Sequence, residues 1–280
     1  MNISPIKENI CKALAKYQYL TNSQMITLGI STSIEVVRKN VKELSDPKRA
    51  FLGSIKYGAS DRLGKREYFH YLKRKGVKLL CNDLLYTPEQ IKAPKNKTPN
   101  ITTDYYHRKS TIDFQIALHQ HTTQQQGDIL FFDTYFERKG SNRNGKSISK
   151  TAIDTKQSYL LADALLMIDI PQPQTRKKYL YAFEMHNTNS TKNITEQLTR
   201  YLECLEIGSI TVKYGFDKGS RILSVFEDVN KMHNTLNRIT TNPYFDNMRQ
   251  LYLFKPLSEI LENGVYADWI TAGSEVVSLY

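Results

Sequence analysis

The sequence predicts a mixed α/β (α+β) protein built in two modules, and three observations carry that expectation. Hydrophobic residues recur at helical spacing in the first part of the 280-residue chain and in strand-like runs mixed with helical stripes in the rest, over a length with room for two ordinary domains. Charge is segregated: residues 1–100 hold 19 Lys/Arg against 8 Asp/Glu, residues 101–280 hold 20 of each, and the net +11 therefore belongs to the first third. Between the two parts, residues 87–103 contain three prolines, three lysines and little that is apolar, the composition of a linker. The expected boundaries are 1–86, a linker over 87–103, and 104–280.

Other classes are excluded by what the chain lacks. No run of about 18 apolar residues is present to span a membrane. The start, Met1 to Glu8, has no apolar core of a secretory signal. Cys11, Cys81 and Cys204 lie too far apart for a disulfide framework or a zinc spacing, so a reducing cytoplasm is expected.

In the basic third, Ile6, Ile10, Ala13, Leu14 and Tyr17 make one stripe of a first helix. Thr21 to Ile26 reads as a short capped helix ended by Gly29. A third helix over 31–45 opens on Thr32 with Glu35 as a capping box and turns Ile34, Val37, Val41 and Leu44 inward, which leaves Arg38, Lys39 and Lys42 outside. Two strand-like runs, 51–57 and 66–72, flank a loop with two glycines that carries Arg62 and Lys65, and a helix over 73–82 follows with Val77, Leu80 and Cys81 inward. Three helices and a two-stranded ribbon are the order of a winged helix-turn-helix. In that reading the helix over 31–45 enters the major groove of double-stranded DNA, with Arg62, Lys65 and Arg66 on the wing at phosphates.

In the neutral part a helix over 104–121 is expected to bury Ile112, Ile116, Ala117 and Leu118, followed by a strand over 129–136 and a Gly- and cation-rich loop over 138–150. Strands over 162–169 and 178–186 come next, with Asp169 as turn chemistry beside Pro171 and Pro173. A helix opening at Asn193 carries the stripe Ile194, Leu198, Tyr201 and Leu205. Strands over 210–216 and 221–226 and helices over 228–239 and 244–254 complete the mixed order, with Trp269 assigned to the core.

The chemistry is expected on the two central strands. Alternation puts Leu180, Ala182, Glu184 and His186 on one face and Tyr179, Tyr181 and Phe183 on the other, and pairing brings Asp163 beside Glu184. Two converging carboxylates repel unless a cation sits between them, and oxygen ligands suit Mg²⁺ or Mn²⁺. Asp163, then Glu184-Met185-His186, resembles the PD-(D/E)xK nuclease motif, with Ala162 where the family has Pro and His186 where it has Lys. Together with Tyr19-Leu20-Thr21, Arg66 to Leu72, and Lys75-Gly76, the chain over residues 6–230 resembles plasmid replication-relaxation proteins, and among them MobC-type mobilisation relaxases.

That resemblance implies a winged helix joined to a restriction-endonuclease-like mixed-sheet domain that nicks one strand at a plasmid origin of transfer, with a conjugative coupling or accessory protein as partner. It implies Asp163 and Glu184 as metal ligands, the Met185 carbonyl as a third oxygen, and His186 in the catalytic lysine's place, as base or ligand. His107 and Arg108 open the helix ahead of the core and read as decoration of its start, with Arg108 also a candidate phosphate contact, and Tyr19, Tyr105 and Tyr106 are candidates for a nucleophile or phosphate contact. The competing expectation is a non-catalytic replication initiator or regulator with a degenerate core.

Overall fold

Residues 3–60, 64–94, 104–139, 148–156, 158–187 and 190–280 are described by the computed structural model, and the chain divides into two compact units, Met1–Tyr105 and Tyr106–Tyr280. In the first unit, α1 (Pro5–Tyr17) buries Ile10, Leu14 and Tyr17. α2 (Asn22–Thr27) is closed at its start by a reciprocal cap: the Gln24 N–H donates to Thr21 Oγ1 at 3.2 Å, and the Thr21 N–H to Gln24 Oε1 at 3.0 Å. Gly29, at φ +73°, takes the left-handed turn out of it. α3 (Ile34–Ser45) is capped by Ser33, whose Oγ accepts from the Val36 N–H, and not by Thr32. Ser and Thr cap about equally well, so adjacent Thr32-Ser33 leave the start ambiguous by one residue.

The two expected wing strands are broken into four: β1 (Leu52–Ile55), a small ribbon of β2 (Ala59–Ser60) with β3 (Gly64–Lys65), and β4 (Phe69–Leu72), which pairs antiparallel with β1. Leu20 and His70 exchange backbone hydrogen bonds along β4. α4 (Arg74–Asp83) turns Gly76, Leu79 and Leu80 inward, with Val77 and Cys81 only half-buried. Gly76 accounts for the rotation, since a Cβ there would meet the Phe51 carbonyl oxygen at 2.5 Å, so the helix lies directly on backbone. The start of the expected linker is structured: Pro88–Gln90 forms a 3-10 turn, Ile91 is buried, and the Lys92 N–H donates to the Ala15 carbonyl at 2.7 Å.

The second unit contains α5 (Tyr105–Gln124) from its second residue on, β5 (Asp128–Thr134), the hairpins β6 (Arg138–Lys139) with β7 (Ile148–Ser149) and β8 (Ala152–Asp154) with β9 (Tyr159–Leu161), then β10 (Ala164–Gln172), β11 (Thr175–His186), α6 (Thr191–Glu206), α7 (Ser209–Tyr214), β12 (Ser220–Phe226), α8 (Val229–Thr240), β13 (Tyr252–Pro256), α9 (Leu257–Asn263), β14 (Trp269–Thr271) and β15 (Val276–Val277). Among the described residues, seven strands form one mixed sheet in the order β15-β14-β13-β12-β11-β10-β5. β11, β12 and β13 run parallel at its centre, with antiparallel neighbours on both sides. Leu180 and Ala182 face the α6 and α8 layer, while Tyr181, Phe183 and Met185 face the α5 and α9 layer, where Trp269 is fully buried.

Four sequence expectations change. Residues 209–214 are a short helix, not a strand, because Gly208 and Gly215, both left-handed, bracket it and only Ile210 is buried; the bracketing outweighs the β-branched run Ile210-Thr211-Val212. Residues 244–254 are 3-10 turns leading into β13, not a helix. β13 is buried on both faces, and such a strand shows no alternation by which to tell it from a buried helix. Asp169 lies within β10, with Arg176 Nε at 3.2 Å, because the hairpin closes later, at Pro173-Gln174. α6 is capped by Ser190, ahead of Asn193. None of the helices among the described residues is long and apolar enough to cross a membrane.

Candidate active site at a buried carboxylate pair

β10 pairs with β11 through Ala164 and Phe183, so one step further Asp163 and Glu184 stand side by side. The two carboxyl groups are near enough for each to shift the protonation of the other. Asp163 Oδ2 accepts the Met185 N–H at 2.8 Å, and its Oδ1 lies 2.7 Å from His107 Nε2. The other ring nitrogen, His107 Nδ1, is 2.9 Å from Asn187 Oδ1. Glu184 is fully buried. Its Oε1 accepts from the Tyr201 hydroxyl, and its Oε2 accepts from Gln197 Nε2 at 2.6 Å.

These surroundings push the two acids apart. Burial, then the neighbouring Asp163 charge, raises Glu184 well above the ordinary carboxylate range. Burial works to raise Asp163 too, but His107 and the Met185 N–H outweigh it and hold that carboxyl below its usual range. Glu184 therefore holds a proton more tightly than Asp163 does.

Two carboxylates in contact share either a proton or a cation. Among the described residues no group of three or more His, Cys, Asp or Glu side chains is placed to hold a metal. Asp163 and Glu184 offer carboxylate oxygens, the donors that hard cations such as Mg²⁺ and Mn²⁺ take together with water and phosphate.

His186 shares the Glu184 face of β11 but is buried, with its ring 4.5 Å from that of Phe226. Its Nε2 has no hydrogen-bond partner among the described residues. Burial lowers its pKa to about 4, so the imidazole is neutral at pH 7.

The expected DNA contacts divide. Arg38, Lys39 and Lys42 are exposed on α3, opposite buried Val37, Val41 and Leu44, and Arg38 is paired with Glu35 at 2.7 Å. Arg62 lies outside the described residues, as do residues 140–147 of the cation-rich loop, and Lys65 ends β3. Arg66 is half-buried, its guanidinium 5.8 Å from the Tyr105 ring centre. Arg108, expected at a phosphate, is instead buried, with its guanidinium 4.6 Å from the centre of the Phe136 ring. Tyr19 and Tyr105 are buried among aromatic rings, Tyr19 edge-on to Phe69 and Tyr71, and Tyr105 4.8 Å from Tyr57, which takes both away from an exposed nucleophile's position; Tyr106 is half-buried.

Sequence reasoning misses His107, which reads as decoration at a helix start, and the Gln197–Tyr201 pair, of which Tyr201 reads as one more residue of an apolar stripe. The available signal is their spacing of four on α6, which aims an amide and a hydroxyl at the same buried strand. No family model matches the chain, and neither a curated protein nor a solved structure matches it.

Proposed function

We propose that the protein is a plasmid mobilisation relaxase, in which the first unit binds duplex DNA at an origin of transfer and the second nicks one strand with Mg²⁺ or Mn²⁺. The observation that carries this reading is the side-by-side placement of Asp163 and Glu184, one step beyond the Ala164–Phe183 pair of β10 and β11. The order α5-β5-β10-β11-α6-β12, with the two acids at the start of one central strand and near the end of the next, supports a restriction-endonuclease-like core. Three helices, a ribbon and the exposed Arg38, Lys39 and Lys42 support a winged helix in the first unit.

Asp163 and Glu184 would hold the ion, which supplies Lewis-acid polarisation of the phosphodiester. Tyr201 and Gln197 fix the Glu184 carboxyl, His107 and the Met185 N–H fix that of Asp163, and Asn187 fixes His107. His186, at a pKa of about 4, is a weak base at neutral pH. A role as a neutral hydrogen-bonding group suits it better than one as the lysine's functional replacement. A conjugative coupling or accessory protein belongs to the same proposal.

Supercoiled plasmid carrying the cognate origin is expected to relax in Mg²⁺ or Mn²⁺ and to stay supercoiled in chelator or with Asp163→Asn. The second reading is a non-catalytic initiator or regulator with a degenerate core. It is favoured by the full burial of Glu184 with both oxygens already accepting hydrogen bonds. Duplex binding without relaxation in any divalent metal would establish it.

A further inference from the structure

On the α6 side of the sheet, a cleft of about 640 Å³ opens between β9 and α6. Gln197 lines it and also donates to Glu184, so its wall is one side chain from the carboxylate pair. The β8–β9 wall is fastened in place. Ile153 and Leu160 are buried in the core, Arg200 Nη2 donates to the Tyr159 carbonyl at 2.9 Å, Ser209 Oγ donates to the Asp154 carbonyl at 2.6 Å, and Glu203 accepts the Lys156 N–H.

The lining combines three chemistries. Tyr159 and Leu161, two apart on one strand and therefore on one face, are 55% and 45% exposed, an apolar surface left open where the neighbouring Leu160 is buried. Asn193 and Gln197 bring amides, and Arg200 brings a cation to the rim. Glu196 adds a carboxylate, 3.8 Å from Lys192. A flat aromatic ring, amides that pair with base edges, an acceptor for an exocyclic amine and a cation for a phosphate together make a seat for a nucleotide. The volume lies within the range of small-ligand pockets, and a base can enter only when it is out of the stack.

We infer that this cleft binds an unstacked nucleobase of single-stranded DNA, seated against Tyr159 with Arg200 at the flanking phosphate. Its purpose, to hold one strand beside Asp163 and Glu184, rests on the proposed cleavage reading, but its occupancy can be measured without cleavage.

The test uses the full chain and a fluorescein-labelled single strand of about 12 nucleotides, within the span such grooves cover, followed by anisotropy in chelator, with the same sequence as a duplex for comparison. Tyr159→Ala is expected to weaken single-strand binding about tenfold and duplex binding less than about twofold, while Tyr159→Phe keeps both, as loss of one stacked base requires. Arg200→Gln is the second variant, expected to weaken single-strand binding and flatten its salt dependence. Single-strand affinity unchanged in Tyr159→Ala, or a parent protein that does not bind the single strand, overturns the inference. Tyr159-dependent binding by a protein that never relaxes plasmid upholds the cleft and removes the cleavage reading. Relaxation together with Tyr159-independent binding does the reverse.

Discussion

In the first unit the charged side chains Arg38, Lys39 and Lys42 of α3 stand exposed, and the interior holds uncharged side chains together with a buried His70 whose pKa falls to about 4 because burial disfavours its cation. In the second unit, where positive and negative residues nearly balance, the consequential acids are inside: Asp163 and Glu184 side by side on paired strands, both under desolvation. The contrast separates two uses of charge. Attraction to a polyanion needs cations in solvent that can exchange counterions for phosphates, and a surface pair such as Arg38–Glu35 is weak enough, about 0–1 kcal/mol, to be given up on binding. A reactive acid pair needs the opposite, a dry setting in which small changes of partner move protons.

The largest effect expected lies in the second unit. Glu184→Ala removes a fully buried side chain and strands the Tyr201 hydroxyl and Gln197 amide, which is expected to cost about 2–4 kcal/mol in urea unfolding. Glu184→Gln keeps the shape of the protonated acid and is expected to unfold within about 1 kcal/mol of the parent at pH 7. A Gln variant as unstable as the Ala variant would show that Glu184 is ionised and that the charges are not divided as described.

Acid reaches both units through a buried histidine. His70 and His186 each have a folded pKa of about 4 against an ordinary 6.5. Below pH 6.5 the unfolded chain takes up protons that the folded chain refuses, so stability falls as the pH drops from 6.5 toward 4, by about 2–3 kcal/mol per histidine. His70→Gln is expected to flatten that loss for the first unit and leave the second unit's loss in place, as read by unfolding at stepped pH. An unchanged pH profile would place His70 in contact with water.

Gly76→Ala is a smaller probe, confined to the first unit. A Cβ 2.5 Å from the Phe51 carbonyl oxygen must push α4 off the sheet, at about 1–3 kcal/mol, and plasmid relaxation at permissive temperature should persist. The smallest change is on α3: Lys39→Ala with Lys42→Ala is expected to lower the slope of log duplex affinity against log salt by about 0.9 for each phosphate no longer neutralised. An unaltered slope would move the DNA surface elsewhere in the basic third.

How much of this can be read from the sequence depends on how each element is held. The amphipathic helices α1, α3, α6 and α8 are legible because one face is buried and one is wet, as in the Val37, Val41, Leu44 stripe. The strand pair β10–β11 is legible from its apolar runs, and with it the meeting of Asp163 and Glu184, since one register of a hairpin fixes every neighbour. β13 is not, being buried on both faces, and α7 reads as a strand because two left-handed glycines, rather than propensity, decide it. In the site, the strand residues are found and the helix residues are missed. His107 reaches Asp163 from 56 positions away and Asn187 from 80, pairings that no local pattern encodes.

The central claim is that attraction and chemistry reside in different units, and Glu184→Gln tests it most directly. Parent and variant are compared on one supercoiled plasmid carrying the cognate origin in Mg²⁺, with duplex affinity measured on the same preparations. The expected result is relaxation lowered at least about a hundredfold, the scale of removing one transition-state interaction, with duplex affinity unchanged. Relaxation by Glu184→Gln at the parent's rate, or loss of duplex binding along with it, contradicts the assignment.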